Sequence, residues 1–157
     1  MQMQQKMRVE KQVMSKARWL YVILGLVIMM ALGTVYSWSV FRLPVEVLYD
    51  VGTAQSGLPY MTALLFYSLF MFLTGRFFKD WSPRKTILTG TLLVSVGWIL
   101  SAFAPNIQTL TIAYGVISGA GVGIAYGDPL TLGTRRYPEK KGIVIGLVLL
   151  GFGLSPF

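Results

Sequence analysis

Four aromatic side chains that carry a hydrogen-bond donor lie inside apolar stretches of this sequence. A tyrosine hydroxyl or an indole N–H can donate to a polar ligand while the ring selects the ligand's shape, so these residues are candidates to line a binding cavity. The same residue types also collect in belts at membrane interfaces. Both interpretations stay open for Tyr36, Trp38 and Tyr126, whereas Tyr67, close to the middle of its run, either lines the pathway or needs only a hydrogen-bond partner or water.

Side chains that do covalent or metal chemistry are scarce. The sequence has no Cys and no His, which excludes disulfides, thiol nucleophiles, imidazole bases and the usual zinc or haem ligands. Among the six Asp and Glu residues, Asp128 alone is predicted to lie near a membrane-embedded segment. It is either a proton-coupling group or the ionic partner of Arg135, Arg136 or a cation in an earlier loop. We therefore expect no enzymatic activity, no cofactor and no metal.

Five apolar runs explain where the charged residues fall. If each run crosses a membrane once, every Lys and Arg except Arg42 lies on the same side, and such cations mark the cytoplasmic face. The net charge of +8 then reflects topology and attraction to anionic lipid rather than nucleic acid, so the expected partner is the bilayer. The sequence predicts an all-α polytopic membrane helix bundle of the cell (inner or plasma) membrane, with a cytoplasmic amino terminus. The expected segments are a basic tail at 1–18 and helices at about 19–41, 58–78, 86–103, 109–132 and 142–157.

Two further expectations concern the ends of the apolar runs. The fifth run is still apolar at Phe157, which predicts a fragment of a longer polytopic protein; the alternative is a complete five-helix protein. After the first helix we expect a short outer loop containing Arg42, Pro44 and Glu46. In this loop Arg42 either attracts anions or pairs with Glu46, an interaction that contributes little at a surface.

Glycines recur at helical spacing. Residues four apart share one helical face, and small residues there let a second backbone approach closely. The alternatives are generic tight packing and a surface on which helices slide or rock. The predicted packing glycines are Gly115, Gly119, Gly123 and Gly127 on helix 4, Gly25 and Gly33 on helix 1, and Gly142 and Gly146 on helix 5.

Two loops carry patterns that resemble those of the major facilitator superfamily. Residues 75–85, Gly-Arg-Phe-Phe-Lys-Asp-Trp-Ser-Pro-Arg-Lys, are similar to that family's loop between helices 2 and 3. Residues 135–142, Arg-Arg-Tyr-Pro-Glu-Lys-Lys-Gly, resemble the stretch before its helix 5. Residues 32–41 and 125–130 are similar to the oxalate/formate antiporter branch. The first loop departs from the family pattern because Asp80 follows Lys79, the reverse of the usual order.

The resemblance implies the amino-terminal half of a twelve-helix secondary transporter of small organic anions, of oxalate/formate or monocarboxylate type, that works by alternating access. It also implies that a missing carboxy-terminal half supplies the cations. In this setting Tyr36 and Trp38 are candidates for a cage around a small carboxylate, Tyr67 for the lining of the pathway and Tyr126 for a side chain that points into a cavity. A transporter of another solute and a five-helix subunit that transports nothing are the alternatives. The implied gating residues of the cytoplasmic face are Gly75, Asp80, Arg84, Lys85, Arg135 and Arg136.

Overall fold

The computed structural model of the protein describes residues 19–78 and 80–155, apart from the side chain of Arg136. The predicted basic tail and Lys79 lie outside this part of the chain. The described residues form helices and connecting turns with no β-strand, as predicted. Five helices follow in order: α1 Trp19–Tyr49, α2 Thr53–Phe77, α3 Pro83–Ala102, α4 Ile107–Arg135 and α5 Lys141–Leu154.

The connections between the helices lie at the two ends of the bundle. α1 begins at what we call the near end, which also holds the α2–α3 connection and the short 3-10 turn Pro138–Lys140 before α5. α1 finishes at the far end, together with the α1–α2 and α3–α4 connections. The near end is the one that the sequence predicts to be cytoplasmic.

The surface of the bundle suits a bilayer. Helices α1 to α4 each have the length and the composition to cross a membrane, and α5 is described over 14 residues. Large apolar side chains point outward from three of these helices, for example Val40, Leu65 and Leu88, each more than half exposed. Such a surface is unfavourable in water and matches lipid tails. The predicted all-α membrane helix bundle is confirmed.

Helix α1 extends beyond its predicted end at Phe41. It continues through Pro44 to Tyr49, so the expected loop residues Arg42 and Glu46 are helical. The polar side chains are accommodated because they lie one turn apart and contact each other. The helix stops at Asp50, whose left-handed backbone (φ 50°, ψ 51°) is one that Asp adopts more readily than most residues. At 1.5 Å per residue, the 31 residues span roughly 46 Å, so α1 is longer than a bilayer core of about 30 Å.

Helix α4 is the centre of the bundle. In its most apolar stretch 61% of the residues are buried, against 11% in α2. Its glycines explain this position, because a Cβ at Gly119 would approach the carbonyl oxygen of Ala63 on α2 to 2.6 Å. Gly115 and Gly123 lie against α2 in the same way, and Gly121 lies against Gly90 on α3. A helix with small residues on two faces can therefore sit between two neighbours at close range.

Helix α5 packs against α1 through Gly33, which was expected to pack, and through Gly151, which was not. Gly33 of α1 lies against the carbonyl group of Phe152, and Gly151 of α5 lies against Leu26. A Cβ at Gly142 or Gly146 would meet open space, so the expectation that these two residues pack is wrong. The position of the α1–α5 crossing decides which glycines are used, and that position is a tertiary property.

Two helices contain irregular turns that contact each other. Residues Gly33–Ser37 of α1 form a 3-10 segment, and Thr111–Ser118 of α4 form a π-helical segment. The hydroxyl of Tyr114 in the π segment donates to the carbonyl oxygen of Val35 in the 3-10 segment at 2.9 Å. Irregular backbone at membrane depth is tolerated where protein groups satisfy its polar atoms. This contact also fixes the level at which the aromatic residues of α1 and α4 meet.

Candidate functional site

Aromatic residues from four helices meet around Phe152. The ring centroids of Tyr36 and Tyr126 lie 5.1 and 5.2 Å from that of Phe152, and the ring of Tyr67 lies 5.3 Å from that of Tyr126. Tyr60 joins the group through Tyr36, at 6.4 Å. Most of these contacts are edge-on, the arrangement that aromatic rings favour. We call these five residues the tyrosine cluster.

The tyrosine cluster combines a buried centre with an accessible rim. Phe152 is buried, Tyr36 is exposed, and Tyr60, Tyr67 and Tyr126 are partly buried. The rings of Tyr126 and Tyr67 contact each other edge-on, and the hydroxyl of Tyr36 has no acceptor among the described residues. The rim therefore offers phenol hydroxyls and ring edges to a small ligand.

Two members of the tyrosine cluster were missed from the sequence. Tyr60 lies seven residues before Tyr67, two turns along the same face of α2, and this spacing is a signal that could have found it. Phe152 lies between Gly151 and Gly153, and only the packing of α5 on α1 brings it to the cluster.

Trp38, the fourth predicted binding residue, belongs to another group. The centroid of its ring lies 4.7 Å from that of Tyr114. The ring of Trp98 lies 5.4 Å from that of Tyr114 and 5.7 Å from that of Phe41. We call these four residues the tryptophan cluster. Trp38 is buried, and its Nε1 donates to the carbonyl oxygen of Ser56 at 3.0 Å. Residues two apart on a helix do not share a face, although Trp38 and Tyr36 both also line a cavity at the far end.

A polar network joins α1 to the start of α2 at the far end. The carboxylate of Glu46 accepts from the hydroxyl of Ser56 at 2.6 Å and from Nε of Arg42 at 3.3 Å. Nη2 of Arg42 donates to the carbonyl oxygen of Thr53, also at 3.3 Å. A cavity of about 310 Å³ opens beside this network, and its lining includes Arg42, Tyr36 and Tyr60. We call it the far-end cavity.

A second cavity, of about 300 Å³, lies at the near end between α2, α3 and α4. Two of the predicted gating residues, Gly75 and Arg135, line it together with Asp128. Thr86 lines the same cavity, and its hydroxyl donates to the carbonyl oxygen of Ser82 at 3.1 Å. The hydroxyl of Thr74 is buried here without a hydrogen-bond partner among the described residues.

The other predicted gating residues do not line the near-end cavity. Asp80 and Lys85 are exposed, and Arg84 lines a separate groove with Tyr21 of α1. The side chain of Arg136 lies outside the described part of the chain. Of the predicted packing glycines on α4, Gly127 meets open space, unlike the three that lie against α2. Between the described residues the one salt bridge joins Arg42 and Glu46.

The chemistry that these sites offer is binding. The described residues contain no group of three or more His, Cys, Asp or Glu that could hold a metal ion. Phenol hydroxyls, ring faces and one guanidinium are the groups that the far-end cavity and the tyrosine cluster present. They suit a small ligand recognised by shape and hydrogen bonds.

Comparison with known proteins identifies the family to which this helix bundle belongs. The sequence profile of the Major Facilitator Superfamily matches residues 23–157. The chain is 29% identical over 139 residues to the oxalate:formate antiporter of Oxalobacter formigenes, covering 88% of the chain and 33% of that protein. It is 36% identical over 83 residues to monocarboxylate transporter 14 of Mus musculus (53% and 16%). Over 76 residues it is 38% identical to the apicoplast pyruvate carrier 1 of Toxoplasma gondii (48% and 14%). The chain thus spans about a third of the length of the antiporter it matches.

Proposed function

Because the chain belongs to the Major Facilitator Superfamily, we propose that it is part of a secondary transporter of small organic anions, of oxalate/formate or monocarboxylate type, working by alternating access. Relatives named for oxalate and formate, for monocarboxylates and for pyruvate support this substrate class. Their shared chemistry is a small carboxylate.

The observation that carries the proposal is the convergence of Tyr36, Tyr67 and Tyr126 around Phe152. Phenol hydroxyls donate hydrogen bonds to a carboxylate, and the edges of aromatic rings carry partial positive charge. Trp38 is left out of this cage because its indole N–H is already bonded to backbone. It serves the packing of α1 instead.

A carboxylate held by phenols still needs compensation for its charge, since an unpaired ion in an apolar site is costly. We propose that cations of a second, carboxy-terminal half meet the substrate from the opposite side. The two halves would rock about the site and expose it alternately. The gate at the near end would use Gly75, Asp80, Arg84, Lys85, Arg135 and Arg136, with Asp128 in the same cavity as Gly75 and Arg135.

Uptake into vesicles tests this function. The complete reading frame that contains this sequence is expressed, purified and reconstituted, and uptake of labelled oxalate, formate, pyruvate and lactate is measured against empty vesicles. Saturable uptake of at least one of them, with competition among them, is expected. Uptake of neutral solutes alone would contradict the substrate class, and no uptake of any solute would favour a non-transporting subunit.

We also propose that the near end faces the cytoplasm of the cell membrane. These 157 residues contain no Cys, so only Cys residues elsewhere in the complete reading frame have to be replaced before labelling. Single Cys residues replace Lys85 and Lys140 at the near end and Asp50 at the far end. An impermeant maleimide applied to intact cells should label the last variant only. Labelling at Lys85→Cys or Lys140→Cys would reverse the orientation.

A neutral solute is the second candidate, because no Lys or Arg of the described residues stacks on a ring of the tyrosine cluster. Competition by carboxylates in the uptake assay distinguishes a neutral substrate from an anionic one. A neutral substrate would be transported at the same rate with and without excess oxalate or pyruvate.

A further inference from the structure

Arg42 lines the far-end cavity together with two members of the tyrosine cluster. The far-end cavity is lined by Arg42, Tyr36 and Tyr60, and the last two are also members of the tyrosine cluster. The cavity and the cluster therefore share a wall. Six residues of α1 separate Arg42 from Tyr36, a rise of roughly 9 Å along the helix. A ligand that enters at the far end passes the guanidinium before it reaches the phenols.

The guanidinium keeps donors available. Nε and Nη2 make the contacts to Glu46, Ser56 and Thr53, each at 3.3 Å. These distances are long for N–H donors of a charged group, which usually lie 2.7–2.9 Å from a carboxylate oxygen. Nη1 has no partner among the described residues. A guanidinium carries five N–H donors in a planar fork that fits a carboxylate, so a second anion can be accommodated.

Glu46 does not depend on Arg42. Its carboxylate accepts the short bond from Ser56, at 2.6 Å, and the backbone carbonyl of Ser56 accepts from Trp38. If Arg42 turns toward a ligand, Glu46 keeps its contact to α2. The exchange costs little because the Arg42–Glu46 contact is long, at 3.3 Å, and the pair is only partly buried.

We propose that Arg42 is the receiving site for the substrate's carboxylate at the far end, where it exchanges Glu46 for the incoming anion and passes it to Tyr36 and Tyr60. The inference rests on the proposed transport of small carboxylates. It adds a specificity-determining residue that belongs to this half of the transporter. The cavity volume of about 310 Å³ is near the lower end for ligand sites, as a small anion requires.

The test is the concentration dependence of uptake from the far side, measured on the complete transporter with labelled oxalate and pyruvate. Arg42→Gln should raise KM roughly tenfold or more, because a charged hydrogen bond is lost, and should change the maximal rate by less than about twofold. The KM of Arg42→Lys should lie between those of wild type and Arg42→Gln, since lysine keeps the positive charge and lacks the planar guanidinium. Glu46→Gln should lower KM or leave it unchanged, since it removes the competing carboxylate. The KM difference between wild type and Arg42→Gln should shrink as salt rises.

Two comparisons separate a binding role from a structural one. Lys140→Gln removes the same charge at the near end and should leave KM unchanged. If Arg42→Gln keeps the wild-type KM and instead lowers the thermal unfolding temperature and the maximal rate, Arg42 only tethers α1 to α2 and the inference is overturned. If the wild-type transporter takes up neutral solutes and no carboxylate, the proposed function fails first, and this inference fails with it.

Discussion

The tyrosine cluster and the tryptophan cluster are both aromatic and begin two residues apart on α1, yet the donors of Tyr36 and Trp38 are in different states. In the tryptophan cluster the donors of Trp38 and Tyr114 are both bonded to backbone carbonyls, and both rings are buried. In the tyrosine cluster the hydroxyl of Tyr36 has no acceptor among the described residues and its ring is exposed. A buried donor must be satisfied by the fold, whereas an accessible one can serve a ligand. We propose that the state of the donor separates the packing role of Trp38 and Tyr114 from the binding role of Tyr36.

The largest effect is expected in the tryptophan cluster. Trp38→Ala removes a buried ring from the contact between α1 and α4, and we expect it to lower the free energy of unfolding by about 3–5 kcal/mol. Tyr36→Ala, two residues away, is the matched control and should cost about 1 kcal/mol or less because its ring is exposed. Unfolding in mixed detergent micelles, followed by circular dichroism, measures both. Equal costs would remove the distinction between the two clusters.

The next prediction concerns α4, which carries Tyr114 of one cluster and Tyr126 of the other. Gly119→Ala places a methyl group against the backbone of Ala63 and must push α4 from α2. We expect a cost of about 1–3 kcal/mol, as for overpacked cores. Gly127→Ala, where the added methyl group meets open space, should stay within about 0.5 kcal/mol of wild type. The same micelle unfolding assay compares the two, and similar costs would mean that the glycine stripe does not set the α2–α4 distance.

A smaller effect, on binding rather than on stability, should appear in the tyrosine cluster. Tyr36→Phe keeps the ring and removes a hydroxyl that has no acceptor among the described residues. The KM for a carboxylate should rise up to about tenfold, since one net hydrogen bond contributes about 1 kcal/mol, and the unfolding free energy should not change. Transport kinetics of the complete protein provide the measurement. A loss of stability with an unchanged KM would mean that the Tyr36 hydroxyl contributes to packing and not to binding.

Local patterns predicted the parts of this structure that depend on local geometry. The glycines spaced four apart on α4 mark a helical face, and Gly115, Gly119 and Gly123 do lie against α2. The five apolar runs likewise correspond to α1–α5. Helical geometry would also have separated Tyr36 from Trp38, because residues two apart do not share a face. Placing both in one cage overlooked this rule.

The parts that could not be predicted depend on contacts between distant residues. Arg42, Pro44 and Glu46 were taken as loop residues because charge and proline usually interrupt a membrane helix. The hydroxyl of Ser56, ten residues from Glu46, satisfies the carboxylate and lets α1 continue. The π-helical segment Thr111–Ser118 has no sequence signal that we recognise, and it positions Tyr114 beneath Val35.

The smallest expected effect, that of Tyr114→Phe, is the most direct test of the difference between the two clusters. Tyr114→Phe is the counterpart of Tyr36→Phe, since each removes one hydroxyl from an aromatic cluster. The bond from Tyr114 to Val35 is interhelical and lies at membrane depth, where such bonds contribute about 0.6 kcal/mol on average. The variant should therefore lose about that much stability and keep the wild-type KM, the reverse of the result expected for Tyr36→Phe. If both variants instead raise KM alike, ligand binding reaches across α1, and the two clusters act as one site.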